Sequence, residues 1–141
     1  MEKFTVEFEV KWADVDPNMH LRHTVFLDFA DQARIRFFNT HGLTFNDLVK
    51  RRVGPIIFAT QSKFIAEVLL SEKVFIDCNL LDLSVDGKKW KIKHHLYKAD
   101  GRVAAEMEYT GAWLDLDRRK VAAPPTEVLE VMQLMDKTAA Q

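Results

Sequence analysis

Two carboxylates and two imidazoles, Asp14, Asp16, His20 and His23, fall inside the short stretch Trp12-Ala13-Asp14-Val15-Asp16-Pro17-Asn18-Met19-His20-Leu21-Arg22-His23. A carboxylate can attack a carbonyl carbon or draw a proton from water, and an imidazole can pass protons near neutral pH. The polar stretch feeds directly into residues Thr24 to Phe38, where Val25, Phe26, Phe29, Ala30, Ala33 and Phe37 recur at spacings of three and four. That spacing predicts a helix with one broad apolar face. Its first N–H groups lack intrahelical acceptors and carry the positive end of the helix dipole, which suits them to a developing oxyanion. Acid, base and anion-binding groups therefore meet at one point of the chain.

The remaining elements must hold that point in place. Phe4, Val6, Phe8, Val10 and Trp12 alternate with Thr5, Glu7, Glu9 and Lys11, the pattern of a half-buried strand. Asn39-Thr40-His41-Gly42 ends the long helix, with Gly42 suited to a left-handed turn. Thr44 is placed to cap a short helix through Lys50, and Gly54-Pro55 reads as a break before an apolar strand over residues 56–65. Val74, Ile76, Cys78 and Leu80 alternate with Phe75, Asp77 and Asn79; Trp90, Ile92, His94 and Leu96 alternate with Lys91, Lys93, His95 and Tyr97. Asp86-Gly87 and Asp100-Gly101 supply hairpin turns between these runs, and Val103, Ala105, Met107, Tyr109 and Trp113 form the inward face of a last strand. Thr126 is placed to cap a closing amphipathic helix up to about Lys137. Tight turns join antiparallel neighbours, so the fold class is α+β, with about five antiparallel strands around one long helix.

At 141 residues the chain reads as one domain over residues 1–141, large enough to bury roughly 68% of its unfolded surface. A net charge of −1 argues against nucleic-acid binding through bulk charge. Single Cys78 excludes an internal disulfide and fits a reducing compartment. No apolar run reaches the ~20 residues of a membrane span, and Met1-Glu2-Lys3-Phe4 does not open like a signal peptide. The expected location is the cytoplasm.

With these residues in view, the chain resembles the hot-dog-fold acyl-CoA thioesterases, in the 4-hydroxybenzoyl-CoA thioesterase and YbgC-like branch. Trp12, Asp14, Asp16, His23, Phe26, Asp31 and Arg34 fall on that group's motif without a gap, and the strand–helix–strand order matches over nearly the whole chain. Met19 stands where a glycine is usual, Phe26 where a tyrosine is common and Asp31 where a glutamate is common. The resemblance implies a sheet wrapped around the helix and hydrolysis of an acyl-CoA thioester, with no cofactor beyond the coenzyme A of the substrate. It implies Asp16 as nucleophile or general base, the backbone N–H of His23 as oxyanion donor, and Asp31 near the reacting centre. It also implies a homodimer or homotetramer, with sites at the subunit boundary.

Each assignment has a plainer alternative. Asp16-Pro17 also suits a simple turn, Asp14 a structural partner of the loop, and His20 loop packing. Asp31 could equally be a solvated aspartate paired with Arg34 or Arg36. Met19, Phe26, Phe58 and Phe64 suggest an apolar substrate pocket. Lys88, Lys89 and Lys91 could hold coenzyme A phosphates, or form a solvated strand face. Asp14, Asp16, His20 and His23 lack any recognised metal spacing, so no metal is expected. Two rival functions share the fold: an enoyl-CoA hydratase or dehydratase, for which Asp16-Pro17-Asn18-Met19-His20 is a displaced version of the motif, and a non-catalytic acyl-CoA binder.

Overall fold

In the computed structural model, which describes residues 3–137, the elements follow the expected order. Strand β1 (Thr5–Glu9) leads through a single 3-10 turn (Trp12–Asp14) and a polar loop to helix α1 (His23–Thr40). The short helix α2 (Phe45–Lys50) follows, then strands β2 (Val53–Phe64), β3 (Lys73–Asp77), β4 (Asn79–Leu83), β5 (Lys89–Lys98), β6 (Val103–Asp115) and β7 (Lys120–Val121), and helix α3 (Thr126–Met132). The one-domain reading of residues 1–141 reaches beyond the described residues at both ends.

All strand pairings are antiparallel, in the order β1-β3-β5-β6-β2, with β4 beside β5 and β7 beside β6. Because β3 and the start of β4, as far as Leu80, meet β5 in one register, they are a single run interrupted at Cys78, and a register shift follows before Asp82. Helix α1 lies on the inner face of this sheet. Val25, Phe26, Phe29, Ala30, Ala33 and Phe37 are all buried there, as their spacing requires. Phe29 stacks on Phe8 with centroids 4.5 Å apart, and Phe38 meets Trp113 edge-on at 6.0 Å. Thr44 caps α2 by accepting the Asp47 N–H, and Gly42, Gly87 and Gly101 adopt the left-handed conformation their turns require. Gly111 is needed for a different reason. A Cβ there would lie 2.5 Å from the Trp90 ring and 2.4 Å from the Ile56 carbonyl oxygen.

Four expectations are corrected. Gly54-Pro55 does not break the chain but lies inside β2. Among the described residues only β6 flanks that strand, so a proline without an N–H is tolerated on its open side. Trp12 is not inward: β1 stops at Glu9 and the indole is 73% exposed. Pro125, not Thr126, occupies the cap position of α3, and α3 ends at Met132 rather than near Lys137. The chain beyond it turns so that Leu80 N–H can bond the Asp136 carbonyl. Finally, Asp77 and Asn79 sit at outward positions of the alternation yet are fully buried. Lys3 covers Asp77 from the N-terminal side, and the Asp136 segment lies beside Asn79.

Candidate active site

The loop between β1 and α1 is held by its own carboxylates. Asp14 is buried, accepts the Lys11 N–H at 2.9 Å, and through its carbonyl accepts the Arg22 N–H at 2.8 Å. It is the structural partner anticipated for it. Asp16 closes a tighter turn: its N–H bonds the His20 carbonyl and its own carbonyl accepts the Met19 N–H, both at 2.9 Å. Met19 takes a positive φ of 67° at this corner, the conformation that favours glycine. Its side chain is 43% exposed.

The Asp16 carboxylate is divided in its duties. Oδ1 accepts two backbone N–H groups, from Asn18 at 2.9 Å and His20 at 3.1 Å. Oδ2 has no hydrogen-bond partner among the described residues. One oxygen is anchored and the other is left without a donor among the described residues, on a half-buried group whose torsion the turn has fixed.

A cavity of about 320 Å³ opens beside it, lined by Asp16, His20, His23, Phe26, Phe64 and Glu67 among others. His23 is the first residue of α1, so its N–H and that of Thr24 lie at the unpaired, positive end of the helix. No acidic residue occupies that first turn to compete for them. Phe26 and Phe64 meet edge-to-face at 5.0 Å and form an apolar wall. His20, expected only to pack the loop, turns its Nε2 to Glu67 Oε1 at 3.1 Å. Glu67 was not singled out in the sequence. No pattern marks it, because it reaches the site from the far end of β2. Asp16, His20, His23, Phe26 and Phe64 are thus brought together.

Asp31 is not among them. Eight residues beyond His23 on α1, it stands about 12 Å further along the helix axis. It pairs with Arg34 Nη2 at 2.7 Å, as its plainer reading held. Both line a second cavity of about 300 Å³ with otherwise largely apolar walls, including Phe38, Leu43, Leu48, Ile57, Trp90 and Trp113. Behind it Arg34 Nη1 lies 3.0 Å from His94 Nε2, and its guanidinium carbon sits 4.2 Å from the Tyr109 ring centre. Arginine can only donate, so Nε2 accepts and Nδ1–H donates to the Asp77 carbonyl at 2.7 Å. Burial, and then the Arg34 charge, push the His94 pKa down to about 3, so the ring stays neutral. His94 was legible as an imidazole at an inward strand position; its partner was not.

The other candidates stand apart. Phe58 is 54% exposed on β2 and lines neither cavity. Lys88 and Lys89 are exposed at the β4–β5 hairpin and Lys91 is half-buried on β5 opposite Asp82, again outside both cavities. Among the described residues no three His, Cys, Asp or Glu side chains converge as a metal site would need.

Comparison with known proteins gives the class. The profile of the thioesterase-like superfamily matches residues 10–132, nearly the whole chain. The chain belongs to that superfamily, and it is a thioester hydrolase with the hot-dog fold. Among solved structures it is similar to a gentisyl-coenzyme A thioesterase, at 25% identity and TM-score 0.79 over 89% of this chain and 99% of that one. It is also similar to a Staphylococcus aureus protein in complex with CoA, at 18% identity and TM-score 0.84 over 96% and 87% of the two chains. The 1,4-dihydroxy-2-naphthoyl-CoA thioesterase of Synechocystis superposes at TM-score 0.83 and 15% identity, over 93% and 96%. No curated protein matches the sequence closely enough to count as a relative.

Proposed function

We propose that the protein hydrolyses an acyl-CoA thioester to the free acid and CoA in the cytoplasm, with Asp16 as nucleophile or general base and no metal or organic cofactor. The observation that carries this reading is the Asp16 carboxylate itself. Oδ1 is tied down by two N–H groups while Oδ2 has no partner among the described residues, in a cavity shared with the start of α1. A thioester carbonyl placed between Oδ2 and the first N–H groups of the helix, His23 among them, meets a base or nucleophile on one side. On the other it meets donors for the charge that develops on oxygen. Removing one such donor typically costs ~2.7–4 kcal/mol of transition-state stabilisation.

The site is proposed to be completed in a homodimer. Among the described residues the outer edge of β2 is open; the strand carries exposed Ile57, Phe58 and Phe64, with exposed Ile65 just beyond it, the kind of edge that proteins cover. Any antiparallel pairing of β2 with its own copy runs the Phe64 end of one strand toward the Ile57 end of the other. Phe64 lines the Asp16 cavity and Ile57 the Asp31 cavity. The pairing would therefore bring one chain's Asp16 toward the other chain's Asp31 and apolar pocket, which is where Asp31 finds a part in the reaction. Phe58 and Met19, exposed in the single chain, would be covered by the same step, and Lys88, Lys89 and Lys91 are the proposed contacts for CoA phosphates.

Free-thiol release from a panel of acyl-CoA esters tests the proposal. Turnover of saturated esters supports it; loss of enoyl-CoA absorbance without thiol release would establish a hydratase instead. Tight CoA-ester binding with no turnover anywhere would leave a binding protein.

A further inference from the structure

We infer that His20, oriented by Glu67, is the acid that protonates the departing thiolate. This rests on the thioesterase reading and adds a residue to it. The backbone of His20 already does all that loop packing asks: its N–H bonds Asp16 Oδ1, its carbonyl accepts the Asp16 N–H, and it forms a bridge with Leu69. The imidazole is not needed for any of this, yet it is aimed. Its Nε2 lies 3.1 Å from Glu67 Oε1, and both side chains line the cavity that holds Asp16. Glu67 is itself anchored from behind, through its carbonyl, by Lys98 Nζ at 2.8 Å. With Nε2 set 3.1 Å from the Glu67 carboxylate, Nδ1–H of the protonated ring is the donor left for the thiolate.

The cavity needs such a group. An ionised Asp16 only accepts protons, Phe26 and Phe64 are apolar, and the helix N–H groups belong to the carbonyl oxygen. Of the two imidazoles at the cavity, the exposed His23 side chain has no partner to orient it among the described residues, whereas His20 has one. In the step proposed, water gives a proton to Asp16 Oδ2 as its oxygen bonds the carbonyl carbon. The C–S bond then breaks with its electron pair going to sulfur, and sulfur takes the proton from His20 Nδ1 to leave as thiol. The proton on Asp16 returns to His20 through solvent, restoring both groups. His20 is a catalytic residue in this scheme and Glu67 a positioning residue.

The test separates leaving groups. Acetyl-, hexanoyl- and benzoyl-CoA are assayed, and the best of the three acyl groups is remade as its 4-nitrothiophenyl ester, whose thiolate departs without help. His20→Gln should lose about a hundredfold in kcat on the CoA ester and less than about threefold on the nitrothiophenyl ester. Glu67→Gln, which keeps the acceptor and removes the charge, should show a smaller loss with the same split. In the unmodified enzyme, kcat/KM should change little across a series of thiols of falling basicity, a measurement that needs no variant. Equal losses on both esters, no loss on the CoA ester, or a steep leaving-group dependence in the unmodified enzyme each overturns the role of His20 and leaves the thioesterase reading intact. Absence of turnover on all three CoA esters overturns both.

Discussion

Replacing Arg34 by methionine should cost about 2–4 kcal/mol, most of it from one lost contact. The guanidinium lies between three groups: half-exposed Asp31, fully buried His94 and the face of Tyr109. Methionine fills much of the same volume but donates nothing. His94 Nε2 is then a buried acceptor with no partner, at about 1–3 kcal/mol. Loss of the cation over the Tyr109 ring adds about 0.5–2 kcal/mol. The Asp31 pair adds little, since its carboxylate is 47% exposed and such pairs are worth about 0–1 kcal/mol. Asp31→Asn should therefore cost less than about 1 kcal/mol, and the two variants should differ several-fold. Urea unfolding at pH 7, read by tryptophan fluorescence, measures both, with an unchanged m-value as the check that the compared states are the same. An Arg34→Met loss below about 0.5 kcal/mol, or equal losses for the two variants, would refute the reasoning that His94 is the inner and expensive contact.

Three further outcomes follow from the same geometry. Burial alone would raise the Asp77 pKa, but hydrogen bonds from the His95 side chain and backbone, with Lys3, outweigh it and hold the carboxyl well below the usual range. A folded-state pKa below the unfolded one means stability is present above the usual carboxylate value of about 3.9 and is lost as pH falls below it. Asp77→Asn should cost about 2–4 kcal/mol at pH 7, with the gap to the unmodified protein narrowing in urea titrations below about pH 4. Gly111→Ala should cost about 1–3 kcal/mol by overpacking against Trp90 and the Ile56 carbonyl, seen as a lower Tm. Replacing Lys88 and Lys89 by alanine should raise KM for an acyl-CoA without changing kcat, because such contacts are equal in ground and transition states. An acyl-N-acetylcysteamine ester, which lacks the phosphates, should show no effect.

Much of this architecture was legible because local periodicity and burial agree. The α1 face, the inward residues of β5 and the Asp-Gly turns all follow from spacing and from where glycine alone is comfortable. Periodicity failed where a neighbour distant in sequence overrides the pattern. Asp77 alternates outward like a solvent residue and is buried because Lys3 and Tyr97 close over it. Pro55 reads as a stop and is accommodated because β2 is an edge. At the site, Asp16 and the helix start could be read together since they are contiguous, whereas the left-handed corner at Met19 was not read from the sequence. Glu67 could not be read there, since 47 residues separate it from His20. Asp31 lay within reach of the motif by spacing, but its place on the helix carries it into the second cavity.

The central claim is that the free oxygen of Asp16 does the chemistry, and Asp16→Asn isolates it. Asparagine keeps an oxygen to accept the Asn18 and His20 N–H groups, so the turn should survive; only the charge and basicity at Oδ2 are removed. The measurement is kcat for thiol release from the best acyl-CoA substrate, with Tm recorded on the same samples. The kcat should fall at least about a hundredfold with Tm within a few degrees of the unmodified protein. Unaltered turnover by a folded Asp16→Asn enzyme would contradict it.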